Sequence, residues 1–307
     1  MAMLKLVQSI SARLPKGFAM ADACSACKGG ALVAIDTRTL FVGLATCSPA
    51  PRNTEWRTVC RVCAPDQLRG SDGLALPFLA ADGVMRTIAD ATGRNREPRT
   101  QVWDFCNLRF TANALDSAIK LVEREDRRNP NHATRAVETL GQHYLAQPDA
   151  DSALAFSEAV CAWGGGLRVW ANLKRFHGTE LSSRLDAWLR HVPSAINDET
   201  AIAPAVGFTH GDSRSAIKGL GVSFASKHLR MLQPDRFAVL DDIFHQGLGF
   251  ALNVKGYALF LHELRGFRSR LQSDSVSQCN LASLEGGIFW LVRPWVRAAP
   301  GQETMQT

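Results

Sequence analysis

Four of the eight cysteines fall into two CxxC pairs, a spacing that can place two thiolates on one metal ion. The pairs are "CSAC", with Cys24 and Cys27, and "CRVC", with Cys60 and Cys63. The stretch between them, "GGALVAIDTRTLFVGLATCS", is rich in apolar and β-branched residues, which predicts two or three short strands. Two cysteine knuckles around a small sheet are typical of a zinc ribbon, so we expect one structural Zn²⁺ held by thiolates alone. A redox dithiol or a chance pairing is the alternative, and Cys47 is an alternative ligand.

A second stretch whose residues could do chemistry is "GLGVSFASKHLRMLQPDRFAVLDD", which begins at Gly219 and ends with two aspartates. The preceding "DSRSAIK" and the following "VSFASKHLRML" both have helical character, so a Gly-x-Gly turn joins two predicted helices. In such a helix-hairpin-helix, the backbone amides of Gly219, Gly221 and Val222 can meet a DNA phosphate directly or through a bound monovalent cation. By itself this turn is a weak indication of DNA binding, because Gly-x-Gly turns before helices are common.

The distance from the glycine turn to the following aspartate makes the DNA-binding prediction more specific. Asp241 follows Ser223 by 18 residues, across one helix, a Pro-Asp turn and the apolar run "FAVL". This arrangement resembles the helix-hairpin-helix DNA glycosylase superfamily, and is closest to bacterial proteins of the 8-oxoguanine DNA glycosylase fold. The resemblance covers about residues 150–300. It implies that Asp241 stabilises the oxocarbenium character of the sugar or activates water as an N-glycosidic bond breaks. The alternative role of Asp241 is to cap the next helix, and the two roles are compatible.

The chain departs from the family at Ser223, where bifunctional members carry a lysine that forms a Schiff base with the sugar. Serine cannot form that imine, but Lys227 lies one helical turn further on and therefore on the same face. By the resemblance, Lys227 reads the flipped base or reaches the sugar as a displaced nucleophile, with Ser223 beside the substrate. The alternative is a surface lysine on a basic helix. Asp242 is the second choice for the acid, and otherwise a solvated residue of the first helical turn.

The upstream segment "CAWGGGLRVW" contains an aromatic residue and three glycines that suit a pocket for a flipped base. We expect Trp163 to stack on that base, and Arg168 and Lys174 to contact phosphates. Core packing is the alternative for Trp163 and Trp170, and a solvated face is the alternative for the cations.

The elements that must position these residues are predicted to be mostly α-helical. The chain has 307 residues, 46% of them apolar, a formal net charge of +6 and a pI of about 9.0, which allows a large core and favours anionic partners. We predict a zinc-ribbon-like β module at 1–70, a helical linking region at 71–150 and a glycosylase domain at 151–307. The region 71–150 includes a helix from "GLALPFLAADGVMRTIADATG" and another that begins near Thr111. No apolar run is long enough to span a bilayer, and we expect a cytoplasmic monomer.

The resulting hypothesis is an enzyme that flips a modified base out of double-stranded DNA and hydrolyses its glycosidic bond, leaving an abasic site. By the resemblance, the base is either damage of the 8-oxoguanine type or a hypermodified, glucosylated hydroxymethylcytosine of phage DNA, as an antiviral defence. The first alternative is a non-catalytic helix-hairpin-helix and zinc-ribbon DNA-binding protein, which would not need an acid after "FAVL". The second is a zinc-ribbon adaptor whose helical domain binds protein.

Overall fold

The computed structural model describes residues 23–36, 56–69, 76, 78–79, 85–86, 89–91, 102–106, 108–128, 133–207, 216–273 and 279–297. Within these residues the chain is mostly helical, with small β-sheets in its N-terminal part. The predicted mostly α fold with an N-terminal β element is confirmed at this level. No described helix is both long and apolar enough to cross a bilayer.

The first sheet lies at the cysteine pairs. Strand β1 (Leu32–Asp36) pairs antiparallel with β2 (Trp56–Cys60), and Leu32 lies opposite Cys60. Strands β3 (Phe78–Leu79) and β4 (Met85–Arg86) extend this sheet in the order β2-β1-β3-β4. A separate small core lies under it, made of Val33, Ile35, Val59, Leu68 and Phe78. Such a core is too small to stabilise a module alone, which is the usual reason for a structural metal.

The second sheet replaces part of a predicted helix. Strand β7 (Leu108–Thr111) is central, parallel to β5 (Ala89–Ala91) and antiparallel to β6 (Val102–Phe105). The helix predicted over "GLALPFLAADGVMRTIADATG" is therefore wrong where this stretch is described, because β3, β4 and β5 fall inside it. Short apolar runs interrupted by glycine and proline suit either structure, and pairing with β1 and β7 selects strands here.

Ten α-helices follow in the described residues. They are α1 Ala112–Arg128, α2 Thr134–Ala146, α3 Ala150–Trp163, α4 Leu167–His177, α5 Leu181–His191, α6 Asp198–Val206, α7 Val222–Leu232, α8 Asp242–Leu248, α9 Val254–Ser273 and α10 Leu281–Arg297. The predicted start of α1 is confirmed, since Thr111 Oγ1 accepts a hydrogen bond from the Ala114 amide at 3.2 Å.

One continuous hydrophobic core joins the second sheet to all of the helices and runs from Trp103 to Val292. Helix α1 packs along α10, and α3 packs against α2 and α5. Helix α7 lies at the centre, in contact with α2, α3, α6 and α9, and each of its residues from Ala225 to Leu232 is buried. Because α7 carries the residues singled out by sequence, its burial decides what their side chains can reach.

Candidate functional site

The four cysteines of the CxxC pairs come together as predicted. The Sγ atoms of Cys24, Cys27, Cys60 and Cys63 all lie within 4.8 Å of one another, and those of Cys27 and Cys60 are 3.8 Å apart. Four sulfurs at about 2.3 Å from a tetrahedral Zn²⁺ would be separated by about 3.8 Å. The group therefore fits a single metal ion. The alternative ligand Cys47 lies outside the described residues.

The backbone around these sulfurs also suits thiolates. The amide of Gly30 donates to Cys27 Sγ at 3.1 Å, and the amide of Cys63 donates to Cys60 Sγ at 3.4 Å. A Cβ at Gly30 would overlap the sulfur of Cys60, so this position must be glycine for the cluster to close. Amide donors around closely grouped sulfurs stabilise the negative charge of thiolates, and a bound cation would stabilise it further.

The turn before α7 has the predicted glycine geometry but not the predicted first helix. Gly219 has φ of +97°, in the left-handed region that favours glycine, and Gly221 is the residue before the first turn of α7. Residues 216–218 of the "DSRSAIK" helix form a bend and a turn, and 212–215 lie outside the described residues. In the described part of the chain, the helix that precedes the turn is α6, which packs against α7. The side chain of Val222 is buried, so only its backbone amide is available to a phosphate.

Lys227 is not the surface residue of the alternative interpretation, because only 8% of it is exposed. Its Nζ donates to Ser223 Oγ at 3.1 Å and lies 4.5 Å from the centre of the Phe224 ring. A Cβ added at Gly164 would lie 2.8 Å from Lys227 Cδ, so the first glycine of "GGG" makes room for the lysine stem. Among the described residues Lys227 makes no direct ion pair, and the hydroxyl of Ser223 accepts the hydrogen bond from its ammonium.

Asp241 lies at the beginning of α8, and its Oδ1 accepts from the amides of Ile243 and Phe244 at 3.0 and 3.3 Å. The "FAVL" run that leads to it is buried and is held against α7 by Ser226, whose Oγ accepts from the Leu240 amide at 3.1 Å. The capping role of Asp241 is thus confirmed. The apolar character of this run follows from its path through the core, and the run ends with the Asp241 carboxylate next to α7.

Burial and opposite charge act against each other at this pair. Burial lowers the pKa of Lys227, and the carboxylates of Asp241 and Glu285 oppose that change. Burial raises the pKa of Asp241, while Lys227 and the amides of the first turn of α8 lower it. Each residue therefore favours the charged form of the other, which is how a lysine and an acid can share a partly dry site. Asp242 is exposed and accepts from Gln246 Nε2 at 2.6 Å, as expected of a solvated first-turn acid.

Glu285 and Arg230 complete this cluster, and neither was expected from the sequence. Glu285 on α10 is buried, and burial raises its pKa to about 8, with Asp241 adding to the effect and Arg230 and Lys227 opposing it. Arg230 on α7 is also buried, and its guanidinium contacts Glu138 on α2 at 2.5 Å. An acid inside the apolar face of "SLEGGIFW" was the available signal for Glu285.

Trp163, at the end of α3, is half-buried and packs against the core. Its Nε1 donates to Thr134 Oγ1 at 3.1 Å, and the Arg230 guanidinium lies 5.7 Å from its ring centre. The ring is therefore fixed next to the wall that Gly164 and Lys227 form. Trp170 is buried in the core, which confirms the core interpretation for that residue.

Exposed cationic side chains lie on α4 and at the glycine turn, which the end of α4 contacts. Arg168 and Lys174 are exposed on α4, which is compatible both with the predicted phosphate contacts and with a solvated face. The same helix presents Phe176 to the turn, where a Cβ at Gly219 would lie 3.2 Å from its ring, and Lys218 Nζ lies 4.6 Å from the ring centre. This face, called the basic face below, combines exposed cations with the amides at the beginning of α7.

No match to this chain is found among protein-family models, curated proteins or solved structures.

The chemistry that this arrangement allows follows from its own residues. A carboxylate and an ammonium, both largely removed from water, are close enough for their charges to interact, and Gly164 makes room for the stem of Lys227. Such a pair can stabilise a developing positive charge on one side and bind or protonate a leaving group on the other. A metal ion held by the four cysteines would have all four ligand positions filled, which is typical of a structural rather than a catalytic metal.

Proposed function

We propose that the chain is a monofunctional DNA glycosylase that flips a modified base out of double-stranded DNA and hydrolyses its glycosidic bond. The observation that carries the proposal is the buried Lys227, which packs against Gly164 and whose charge interacts with that of Asp241, the residue that caps α8. The resemblance of "GLGVSFASKHLRMLQPDRFAVLD" to helix-hairpin-helix glycosylases assigns the acid to the same position. The four-cysteine cluster holds one structural Zn²⁺.

Asp241 is the proposed catalytic carboxylate. Breaking an N-glycosidic bond creates oxocarbenium character at the sugar, and a fixed negative charge in a partly dry site stabilises that transition state. The two amides at the beginning of α8 hold the Asp241 carboxylate in one orientation. A carboxylate that is already held in this orientation does not have to rearrange when the sugar binds, and a capping residue therefore suits the role of the acid.

Lys227 reads the base in this proposal rather than attacking the sugar. Its ammonium is a donor that the neighbouring Ser223 holds by a single hydrogen bond, so a carbonyl or ring nitrogen of a flipped base can replace that acceptor. Base recognition by one positioned donor favours lesions that present an acceptor where the normal base has none, as 8-oxoguanine does with O8 in place of the C8–H of guanine. A glucosylated hydroxymethylcytosine of phage DNA is the second substrate class, as a function in antiviral defence.

The basic face supplies the affinity for DNA. Arg168 and Lys174 neutralise phosphates, and the amides of Gly221, Val222 and Ser223 meet one phosphate oxygen directly or through a monovalent cation. The turn at Gly219 lets the DNA backbone approach closely because it carries no side chain. We expect the protein to act as a cytoplasmic monomer.

The deciding experiment incubates the protein with duplexes that each contain one modified base, followed by alkali to cut abasic sites. The panel contains 8-oxoguanine opposite cytosine, adenine opposite 8-oxoguanine, and glucosylated hydroxymethylcytosine, with an unmodified duplex as the control. Cleavage that appears only after alkali, for one of these bases, is the expected result. Salt-dependent binding without any abasic product would instead favour the non-catalytic DNA-binding protein, and absence of both would favour a protein-binding adaptor.

A further inference from the structure

Within the described residues, the four-cysteine cluster contacts the helical domain at the end of α8 and in the segment that leads into α9. The Ala31 amide donates to the Gly249 carbonyl at 2.5 Å, and the Ala251 amide donates to the Gly29 carbonyl at 2.8 Å. Asn253 Nδ2 donates to the Lys28 carbonyl at 3.1 Å. The first knuckle is therefore joined by backbone hydrogen bonds to the segment that directly follows α8.

Arg61, which lies between the ligands Cys60 and Cys63, reaches the same helix from the second knuckle. Only 2% of Arg61 is exposed. Its Nη1 donates to the Gln246 carbonyl at 2.6 Å, its Nη2 donates to the Gly247 carbonyl, and its guanidinium lies 4.8 Å from the centre of the Phe78 ring. A buried guanidinium thus binds carbonyls in the last turn of α8, groups that a helix end leaves without intrahelical partners.

Helix α8 is held at its two ends by different parts of the chain. Asp241 binds the amides of its first turn, and Arg61 binds the carbonyls of its last turn. The helix has seven residues, a length at which an isolated helix is not stable in water. Its position therefore depends on these end contacts and on packing against α10.

Gly249 fits this arrangement in a way that only glycine can. It ends α8 with φ of +86°, and a Cβ there would lie 2.6 Å from both Cβ and Cδ of Arg61. The chain thus leaves space at the end of α8 for the arginine that comes from the metal knuckle.

We propose that Arg61 is a positioning residue that couples metal binding at the four cysteines to the orientation of the Asp241 carboxylate. The metal fixes the second knuckle, the knuckle fixes Arg61, and Arg61 fixes the helix that Asp241 begins. The structural coupling stands on the contacts alone, whereas its catalytic consequence rests on the proposed function. Metal loss would then reduce excision without removing any group that touches DNA.

Hydrogen exchange tests the coupling without reference to activity. It is measured at the amides of α8 in metal-loaded wild type, metal-depleted wild type, Arg61→Met and the control Arg57→Met, which removes an exposed arginine from β2, the strand that ends at Cys60. We expect the α8 amides to exchange at least about tenfold faster in Arg61→Met and after metal removal. The amides of α7 should be unchanged, and the control should behave as wild type.

The Arg61→Met protein should keep its metal and its DNA affinity, and its single-turnover excision rate should fall roughly tenfold to a hundredfold. Loosening α8 weakens the two amide bonds to Asp241, so the acidic limb of the pH–rate profile should move to higher pH. Lys227, Glu285 and Asp242 also act on the Asp241 carboxylate and are unchanged in this variant. Arg61→Lys should restore part of the rate, since it returns one donor.

Unchanged α8 exchange in Arg61→Met, or after metal removal, would overturn the coupling. If Arg61→Met does not fold, Arg61→Lys and the metal-depleted wild type carry the same comparison. If no DNA in the panel is excised, the proposed function fails, but faster exchange confined to α8 would still establish the coupling. A normal excision rate in a variant with loosened α8 would remove the catalytic consequence alone.

Discussion

The ammonium of Lys227 donates to the hydroxyl of Ser223 at 3.1 Å, across one turn of helix α7. Ser223 occupies the position at which the family resemblance places a Schiff-base lysine. The structure thus puts a lysine amine at this site from the neighbouring turn, with burial lowering the pKa of Lys227. A lowered pKa leaves more of a lysine as the neutral amine, so a nucleophilic role has to be tested directly.

The first prediction separates base recognition from covalent catalysis by Lys227. Wild-type protein treated with borohydride on substrate DNA should form no trapped adduct, and the abasic product should stay intact until alkali is added. Lys227→Met keeps the stem that packs at Gly164 and removes the donor, so kcat/KM should fall about tenfold to a hundredfold. Lys120→Met, which changes an exposed lysine on α1, is the matched control. A strong adduct that depends on Lys227 would contradict the monofunctional assignment.

The second prediction concerns the proposed catalytic carboxylate. Asp241→Asn keeps an oxygen that can accept from Ile243 and Phe244, so folding and DNA binding should persist. The single-turnover rate should fall about 100-fold or more, because the negative charge is needed only in the transition state. Asp242→Asn, one residue further on and exposed, should leave the rate within about twofold. Full activity of Asp241→Asn would remove the centre of the proposed mechanism.

The third prediction addresses the glycine turn as a DNA contact. A Cβ at Gly221 meets no atom within 4 Å, and its φ of −84° suits any residue, so Gly221→Val should fold normally. The added side chain should obstruct the phosphate and weaken binding to all sequences alike, with a smaller dependence of affinity on salt. Gly266→Val, at an exposed and equally open glycine of α9, serves as the control. Equal affinity and salt dependence for the two variants would exclude this turn from the DNA surface.

The fourth prediction concerns the metal. Purified protein should contain one Zn²⁺ per chain, with Zn–S distances of about 2.3 Å by X-ray absorption and no other ligand type. Cys63→Ser removes one thiolate and should lower metal affinity and the melting temperature together, because metal binding and folding of the module are linked. Cys279→Ser, at a cysteine outside the cluster, should keep the metal. A disulfide among the four cysteines in protein purified without oxidant would contradict the site.

The fifth prediction uses the buried acid of α10. Burial raises the pKa of Glu285 to about 8, so the folded protein keeps a proton that the unfolded chain loses near pH 4.5. Its contribution to stability is therefore complete below about pH 4.5 and is lost as the pH rises to about 8. Glu285→Gln should match wild type at pH 5 and exceed it at pH 8.5 by an amount on the order of a few kcal/mol. Urea unfolding at several pH values measures this, and parallel curves for the two proteins would contradict it.

The parts of the fold that sequence predicted well are those whose signals are local. Two CxxC pairs specify a ligand set by themselves, and Thr111 marks the beginning of α1. Leu181, Leu185, Trp188 and Leu189 recur at helical spacing in the sequence, and all four are buried on one face of α5. The four apolar residues of "FAVL" favour burial in the core, and this burial sets the position of Asp241, which follows them.

The parts that sequence missed depend on partners far along the chain. Strands β3 and β5 are set by pairing with β1 and β7, which no local pattern reveals. Arg61 looks like a solvated cation between two cysteines until the carbonyls of α8 are seen beside it. Residues 216–218 belong to a sequence that favours a helix, but they form a bend and a turn that lead into Gly219, whose φ is positive.

The contacts of Arg61 and Lys28 with the end of α8 and the segment after it can form only late in synthesis. They join residues 185 and 225 positions apart, Arg61 to Gln246 and Lys28 to Asn253. A ribosome that adds about 5–20 residues per second needs roughly 10 to 40 s to make the intervening chain. The cysteines therefore emerge long before the surface that shelters Arg61 exists. During this interval the nascent knuckle either binds a metal ion or carries free thiols, so we expect metal supply during translation to affect the yield of folded protein.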